Sequence, residues 1–202
     1  MGRIGKEVSL RRAVFLDRDG VLSRSLLRDG KPAAPTMVEE FELLPGVVNA
    51  VERLHAAGFL LVVVTNQPDV STGLTRRDAV GEMHRRLREW LPIDEIKVCY
   101  HVEADECDCR KPKPGMLLAA AQEWGIDLKS SWMVGDRWRD VGAGKAAGCQ
   151  TILVDCHYAE RKAETPDFTV QSLPEAAEII LKQLIEGVAC GLQHEIVGPT
   201  EG

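Results

Sequence analysis

The feature that most constrains the fold is a short apolar run that ends in two acids. Ala13 to Leu16 are apolar, and Asp17, Arg18, Asp19 and Gly20 follow directly. An apolar run of this length is typical of a fully buried strand. Ligands of open parallel sheets bind just beyond the carboxyl ends of the strands, so the aspartates are candidates for chemistry. A solvated turn uses the same residue types, and this stretch alone does not decide between the two.

The same layout of strand, polar end and helix recurs along the chain. Phe59–Val64 is apolar and β-branched and ends at Thr65, and the run that begins at Trp132 ends at Asp136. A threonine at a strand end is often only a cap, but here it is the second polar end of a repeated layout. Further strands are predicted at 96–100 and 151–154, and helices at about 46–57, 76–91, 115–124 and 173–184. The alternation predicts a three-layer α/β sandwich with a parallel, Rossmann-like sheet.

The length of 202 residues fits one domain. We expect an N-terminal extension over residues 1–12, one domain over 13–185 and a poorly ordered C-terminal tail over 186–202. The formal net charge of -6 gives no footprint for nucleic acid or an anionic membrane. No apolar run approaches the roughly 18 residues that span a bilayer, and residues 1–12 do not form a secretory signal. We therefore expect a cytoplasmic protein, and a monomer because no predicted helix has a wide second apolar face.

Three of the six cysteines cluster with a histidine. The spacing is Cys-x-His-x5-Cys-x-Cys, formed by Cys99, His101, Cys107 and Cys109. Three thiolates and one imidazole match a closed tetrahedral Zn2+ site with no position left for water. The alternative is a chance group of buried thiols, which four soft ligands in eleven residues disfavour. We predict a structural zinc ion that fixes a loop with little apolar content.

A basic segment follows the zinc loop directly. It contains Arg110, Lys111 and Lys113, with Pro112 and Pro114 between and after them. Cations on a stiff, metal-anchored segment can be held in a fixed geometry against an anion. A basic surface turn is the simpler alternative, and the anchoring argues against it.

The last candidate site residues follow the strand at Trp132. Asp136 lies at the strand end, where a further carboxylate can complete a Mg2+ site of oxygen ligands. Asp140 begins the next helix and can equally be a partner of the helix dipole, so Asp136 ranks above it as a ligand. Arg24 and Arg28 lie in the polar loop after Gly20, where contact with substrate and a chance pair of solvated arginines are both open.

Four separated motifs, Asp17-x-Asp19, Thr65, Lys111 and Asp136, resemble in their order the motifs of the haloacid dehalogenase superfamily. The resemblance spans about residues 13–180 and implies a haloacid dehalogenase-like fold with no large cap domain. It implies that Asp17 is the nucleophile, that Asp19 is the general acid and base, and that Thr65 and Lys111 stabilise the transferring phosphoryl group. It also implies Mg2+ bound by Asp17, Asp136 and the backbone carbonyl of Asp19.

The zinc loop and Cys109-Arg110-Lys111-Pro112 look like those of the capless phosphatases of this superfamily. Two branches are similar, the heptose bisphosphate phosphatases and the histidinol-phosphate phosphatases. The first matches in Asp17-Arg18-Asp19-Gly20, Val64-Thr65-Asn66-Gln67 and Lys113-Pro114-Gly115-Met116-Leu117. The short spacing from His101 to Cys107 is that of the second, and Val21 replaces the Thr common after Asp-Gly.

Both branches imply hydrolysis of a phosphomonoester of a small metabolite. The matching positions of Asn66, Gln67, Arg110 and Arg137 are expected to contact substrate, because Arg recognises phosphate with two hydrogen bonds. A non-catalytic, zinc-bearing interaction module is the alternative from another class. The sequence speaks against it, because every chemical position carries the expected residue type.

Overall fold

A computed structural model of the protein describes residues 10–28, 30–163 and 165–194, and only the backbone for 187–194. Within these ranges no helix is long and apolar enough to cross a membrane. The strands are β1 (Ala13–Leu16), β2 (Leu26–Arg28), β3 (Lys31–Ala33), β4 (Leu60–Asn66), β5 (Glu95–Cys99), β6 (Trp132–Gly135), β7 (Gln150–Val154) and β8 (Phe168–Val170). The helices are α1 (Val47–Ala56), α2 (Arg77–Trp90), α3 (Gly115–Trp124), α4 (Trp138–Ala147) and α5 (Leu173–His194).

The main sheet is parallel throughout and has the order β5-β4-β1-β6-β7-β8. The chain starts in the middle with β1, builds β4 and β5 on one side, and then crosses to build β6, β7 and β8 on the other. The order therefore reverses at β1, and the crevice for a ligand lies beyond the carboxyl end of that strand. The predicted α/β sandwich with a parallel sheet is confirmed.

Both faces of the sheet are covered by helices, which explains the continuous apolar runs. Val14 and Leu16 face a core that includes residues of α1, α2 and α5. Ala13 and Phe15 point the other way, to a core shared with α3 and α4. Because β1 is buried on both sides, its backbone gives the residues that follow it a rigid support.

Three short elements go beyond the sequence prediction. A sixth strand, β8, pairs with β7. Strands β2 and β3 form an antiparallel hairpin inside the polar loop after Gly20. Three-residue strands are too short to show a hydrophobic period, so no pattern in the sequence predicts them. The hairpin is a small flap, and the described ranges contain no large cap domain.

The ends of the domain also differ from the expected boundaries. The backbone N–H of Arg11 donates to Gly125 and its carbonyl accepts from Asp127, both at 2.8 Å, so the fold begins before Ala13. Helix α5 continues to His194, past residue 186, where the tail was expected to begin. Residues 1–9 of the predicted extension and 195–202 of the predicted tail lie outside the described residues.

Candidate active site

Three predicted site residues meet where adjacent strands end. Asp17 follows β1, Thr65 lies near the end of β4, and Asp136 follows β6. Since β1 pairs with both β4 and β6, these side chains lie at one edge of the sheet. Their exposed fractions are 7%, 1% and 5%. The structure therefore brings together polar groups from three distant parts of the sequence in a largely buried place.

Lys111 enters this place from the loop that precedes α3. Its ammonium nitrogen lies 2.7 Å from Asp17 Oδ1, 2.5 Å from Asp140 Oδ1 and 2.8 Å from the carbonyl oxygen of Val64. Its three protons thus have three acceptors. Asn66 holds the Lys111 backbone, because its Oδ1 accepts from Lys111 N (3.1 Å) and its Nδ2 donates to Lys111 O (3.2 Å). Asn66, predicted to contact substrate, here uses its amide to position the lysine.

Asp136 and Asp140 differ in how their oxygens are used. Asp140 Oδ1 binds Lys111, and Oδ2 accepts from the backbone N of Arg137 at 3.0 Å. Neither oxygen of Asp136 has a hydrogen-bond partner among the residues that the structure describes. Gly20 permits this arrangement, since a Cβ there would lie 2.0 Å from Asp136 Oδ2, and its φ is +94°.

One oxygen each of Asp17, Asp136 and Asp140 lies within 4.8 Å of the others, and we call these three residues the carboxylate cluster. Burial raises the pKa of Asp17 to about 6, with the charge of Lys111 opposing the rise and that of Asp140 adding to it. Burial and the charges of Asp17 and Asp140 raise the pKa of Asp136 well above its usual value, and the nearby Tyr158 hydroxyl and Lys111 oppose this. The unpartnered oxygens and raised pKa values fit a binding site for a divalent cation with oxygen ligands.

The pKa of Lys111 is also raised, which for a lysine favours the charged form. Its burial acts to lower its pKa, but the charges of Asp140 and Asp17 outweigh burial and raise the pKa above its ordinary value. The lysine therefore stays charged in this buried place and is an internal cation for the carboxylate cluster.

Asp19 lines the cleft beside the carboxylate cluster. It accepts hydrogen bonds from Arg18, Ser23 and Gln67. Gln67 is fully buried, and its Nε2 donates to Asp19 Oδ2 (2.8 Å) and to Thr65 Oγ1 (2.9 Å). Sequence reasoning predicted that Gln67 contacts substrate. In the structure Gln67 is buried and connects Asp19 with Thr65 through its two hydrogen bonds.

The predicted substrate arginines lie at different distances from the cleft. Arg137 lines it and makes a two-pronged pair with Glu160 at 2.8 and 2.5 Å. Arg110 lies against the loop of the cysteine cluster, where its Nη1 donates to the carbonyl oxygen of His101 at 3.0 Å. Sequence reasoning missed Arg139, which lines the cleft from the first turn of α4. An arginine in the first turn of a helix looks like a solvated residue, so the sequence offered no signal for it.

The flap and the two loop arginines complete the surroundings of the cleft. Residues of the flap and its flanks line one side of the cleft: Ser25, Pro32, Ala33 and Ala34. Arg28 is paired with Asp69 at 3.2 Å, and Arg24 is 63% exposed and lies 3.6 Å from Glu42. Neither arginine is among the residues that line the cleft.

Cys99, His101, Cys107 and Cys109 form the second group of metal-type ligands, which we call the thiol cluster. The sulfur–sulfur distances within the cluster and the distances from sulfur to His101 Nδ1 range from 3.2 to 3.7 Å. A tetrahedral ion with Zn–S bonds of about 2.3 Å places neighbouring ligands about 3.8 Å apart. Burial raises the pKa of the Cys99 thiol to about 12, and the thiol of Cys109 adds to the rise. The donor set and its spacing fit a closed site for a zinc-type ion.

The sheet order and the acids beyond its central strand are those of a haloacid dehalogenase-like hydrolase. A family model described as HAD-hydrolase-like matches residues 108–176. The D-glycero-beta-D-manno-heptose-1,7-bisphosphate 7-phosphatase of Pseudomonas aeruginosa is 38% identical over 149 residues, which are 71% of this chain and 81% of that one. The chain belongs to this family of phosphatases, which are phosphoric monoester hydrolases.

Two further relatives match over more of the chain. The enzyme of the same name from Escherichia coli K12 is 34% identical over 192 residues, covering 85% of this chain and 94% of its own. The crystal structure of D,D-heptose 1,7-bisphosphate phosphatase from B. bronchiseptica, complexed with magnesium and phosphate, superposes with a TM-score of 0.70 at 29% identity. It covers 85% of this chain and 99% of that one.

Proposed function

We propose that this protein is a Mg2+-dependent phosphatase that converts D-glycero-D-manno-heptose 1,7-bisphosphate to heptose 1-phosphate. The observation that carries the proposal is the carboxylate cluster with Lys111 in its centre, at the point where the strand order reverses. Buried acids with raised pKa values and one internal cation are suited to phosphoryl transfer, which depends on positioning and on charge stabilisation. The names of the relatives support the heptose substrate.

In this proposal Asp17 attacks phosphorus, and the bond from phosphorus to the sugar oxygen breaks. Asp19 gives its proton to that oxygen, so the sugar leaves as an alcohol and an aspartyl-phosphate remains. Asp19 then takes a proton from water, whose oxygen attacks phosphorus and restores Asp17. Lys111 and the Thr65 hydroxyl donate to the phosphoryl oxygens.

The residues that would hold Mg2+ are Asp17, Asp136 and the backbone carbonyl of Asp19. When bound, the ion supplies positive charge at the phosphoryl oxygens and between the acids. Asp140 binds Lys111 and the start of α4, so we assign it the task of positioning the lysine. The thiol cluster is proposed to hold a structural Zn2+. Its thiols must be free to bind the ion, which favours a reducing compartment such as the cytoplasm.

A second phosphate on the substrate needs cations beyond Lys111. Arg139 Nη1 lies 3.0 Å from Glu103 Oε2, and Arg110 Nε lies 3.6 Å from the same oxygen. Arg110 Nε has no hydrogen-bond partner within the described part of the chain, although it is buried. Glu103 is 72% exposed, so a phosphate can replace it at little cost in burial. We propose that Arg110, Arg137 and Arg139 form the distal phosphate site.

The first experiment measures phosphate release, with Mg2+ present, from heptose 1,7-bisphosphate, heptose 7-phosphate and histidinol phosphate. We expect the highest kcat/KM for the bisphosphate. Arg139→Met should raise KM for the bisphosphate by about tenfold and change KM for the 7-phosphate by less than about twofold. Arg24→Met is the matched control, because Arg24 is exposed and does not line the cleft.

Other outcomes identify other functions. A preference for histidinol phosphate would mean that the short spacing from His101 to Cys107 is the better guide to substrate. Release from none of the three substrates by the metal-loaded protein would count against the bisphosphate. Absence of turnover on any phosphomonoester would favour the non-catalytic module.

A further inference from the structure

Arg18, between the two catalytic aspartates, is a fully buried arginine. Arginine is almost never fully buried unless its charge is paired. Here the guanidinium makes a two-pronged contact with Asp19, from Nε to Oδ1 at 3.0 Å and from Nη2 to Oδ2 at 2.8 Å. A planar fork of this kind fixes both the position and the plane of a carboxylate.

The Arg18 guanidinium also contacts His84 and Phe41, away from Asp19. Its Nη1 lies 3.0 Å from Nε2 of His84 on α2, and its central carbon lies 5.4 Å from the centre of the Phe41 ring. A guanidinium has only donors, so His84 Nε2 must be the acceptor and the imidazole must be neutral. Burial, followed by the charge of Arg18, lowers the pKa of His84 to about 3, which agrees with a neutral ring at pH 7. Helix α2 thus supports the carboxylate through the arginine.

Asp19 has no free acceptor position in this arrangement. Besides the two bonds from Arg18, Oδ1 accepts from Ser23 Oγ at 3.1 Å and Oδ2 accepts from Gln67 Nε2 at 2.8 Å. A carboxylate has about four lone-pair sites, and four donors occupy them. Proton exchange with a leaving oxygen requires one of these bonds to open. The bonds from neutral Ser23 and Gln67 are weaker than the charged pair with Arg18, so one of them opens first.

We propose that Arg18, supported by His84 and Phe41, is a positioning residue that holds the Asp19 carboxylate in the plane from which it protonates the leaving oxygen. In that step the proton moves from the Asp19 carboxyl group to the bridging oxygen as the phosphorus–oxygen bond breaks. The inference rests on the proposed role of Asp19 as general acid. Arg18 is fully buried and is not among the residues that line the cleft, so it acts through Asp19.

The test compares two leaving groups, using the full-length protein loaded with both metals. Heptose 1,7-bisphosphate needs protonation of its leaving oxygen, whereas 4-nitrophenyl phosphate releases a stable anion and needs none. General acid catalysis contributes typically about 10²–10⁴-fold, so Arg18→Lys, which keeps the charge and loses the fork, should lower kcat/KM for the sugar phosphate by about 10²-fold. On the aryl phosphate the loss should be at most about threefold, because the acid is not used there.

His84 gives a second variant with its own rescue. His84→Leu removes the acceptor for Arg18 Nη1 and should lower kcat/KM for the sugar phosphate about tenfold, again with little effect on the aryl phosphate. His84→Gln supplies a replacement acceptor and should restore most of that loss. Since His84 is only partly buried on α2, these variants keep the test open if Arg18→Lys does not fold.

Equal losses on both substrates for Arg18→Lys and His84→Leu would overturn the proposal, because a general structural defect does not distinguish leaving groups. Asp19→Asn separates this failure from that of the proposed function. It should show the same selective loss in kcat/KM on the sugar phosphate, because kcat/KM reports formation of the aspartyl-phosphate and not its later hydrolysis, in which Asp19 serves both substrates as the base. If Asp19→Asn lowers kcat/KM equally on both substrates, the general acid role itself is wrong and the inference ends with it.

Discussion

The carboxylate cluster and the thiol cluster are two candidate ion sites that the protein builds in opposite ways. The carboxylate cluster lies on the ends of β1 and β6 and the start of α4, so its backbone is fixed by the sheet and the buried core. The thiol cluster joins the end of β5 to a loop in which every residue from His101 to Arg110 is at least partly exposed. The folded sheet therefore holds the carboxylate cluster in place, whereas the loop of the thiol cluster has little packing to hold it.

The two sites also differ in how they balance charge. The carboxylate cluster contains a cation of its own, since Lys111 lies within 2.7 Å of both Asp17 and Asp140. The thiol cluster brings three sulfur atoms and one imidazole nitrogen together, and the proposed zinc ion supplies its positive charge. Lys111 is two residues after Cys109, so the loop that the proposed zinc ion would fix also carries the lysine of the carboxylate cluster. We therefore expect that a change in the carboxylate cluster leaves the thiol cluster intact, whereas a change in the thiol cluster also disturbs the carboxylate cluster.

The largest effect is expected from Asp17→Asn. An amide of the same shape cannot attack phosphorus, so turnover should fall by at least about 10⁴-fold. Zinc content and the thermal unfolding midpoint should stay close to wild type, because the sheet still positions the residue and Asp140 still binds Lys111. Phosphate release, metal analysis and calorimetry on the same preparation check this. Unchanged activity would show that Asp17 is not the nucleophile, and loss of zinc would contradict the independence of the thiol cluster.

A smaller effect in the reverse direction is expected from Cys109→Ser. Losing one thiolate should release the zinc and loosen the loop, which displaces Lys111 from Asp17. Displacements of about 1 Å in a catalytic group cost about 10²-fold, so kcat should fall by about 10–100-fold. Zinc content and kcat measure the two consequences separately.

The matched control for this prediction is Cys149→Ala. Cys149 is a buried thiol that belongs to neither cluster, and it should keep both zinc and activity. If Cys109→Ser loses zinc and keeps full kcat, Lys111 is held by Asn66 and its ion pairs alone, and the proposed link between the two sites is broken.

The two sites were predictable from the sequence for different reasons. The thiol cluster follows from spacing, since four soft ligands in eleven residues have few alternatives. Asp17, Thr65 and Asp136 follow from topology, because the ends of adjacent parallel strands meet at one edge. Both predictions use the backbone alone and need no knowledge of where a side chain turns.

The residues that sequence reasoning placed differently are those whose role depends on side-chain direction. Asn66 and Gln67 follow Thr65 directly, yet one turns to the Lys111 backbone and the other to Asp19. Most arginines are exposed, so the sequence pattern does not show that Arg18 is buried against Asp19 or that Arg139 lines the cleft. The direction of these side chains depends on contacts with distant parts of the chain, and the local sequence pattern does not report such contacts.

The smallest expected effect concerns pH and the Mg2+ requirement. The pKa of Asp17 is raised to about 6, so in the metal-free protein this carboxylate gains its proton as the pH falls through about 6. A carboxylate must lose its proton to bind a metal, so below pH 6 protons compete with Mg2+. The Mg2+ concentration that gives half-maximal activity should rise by at least about tenfold per pH unit from pH 6 to pH 5, because protonation of Asp136, whose pKa is also raised, adds to that of Asp17.

Zinc content measured at each pH is the control, because we expect the thiol cluster to keep its ion while the carboxylate cluster loses Mg2+. A Mg2+ requirement that does not change between pH 5 and pH 7 would contradict the prediction. It would mean that Lys111 already holds Asp17 ionised without the metal. The carboxylate cluster would then be fully balanced by its internal cation, and the raised pKa of Asp136 alone would remain as the reason for it to bind a divalent ion.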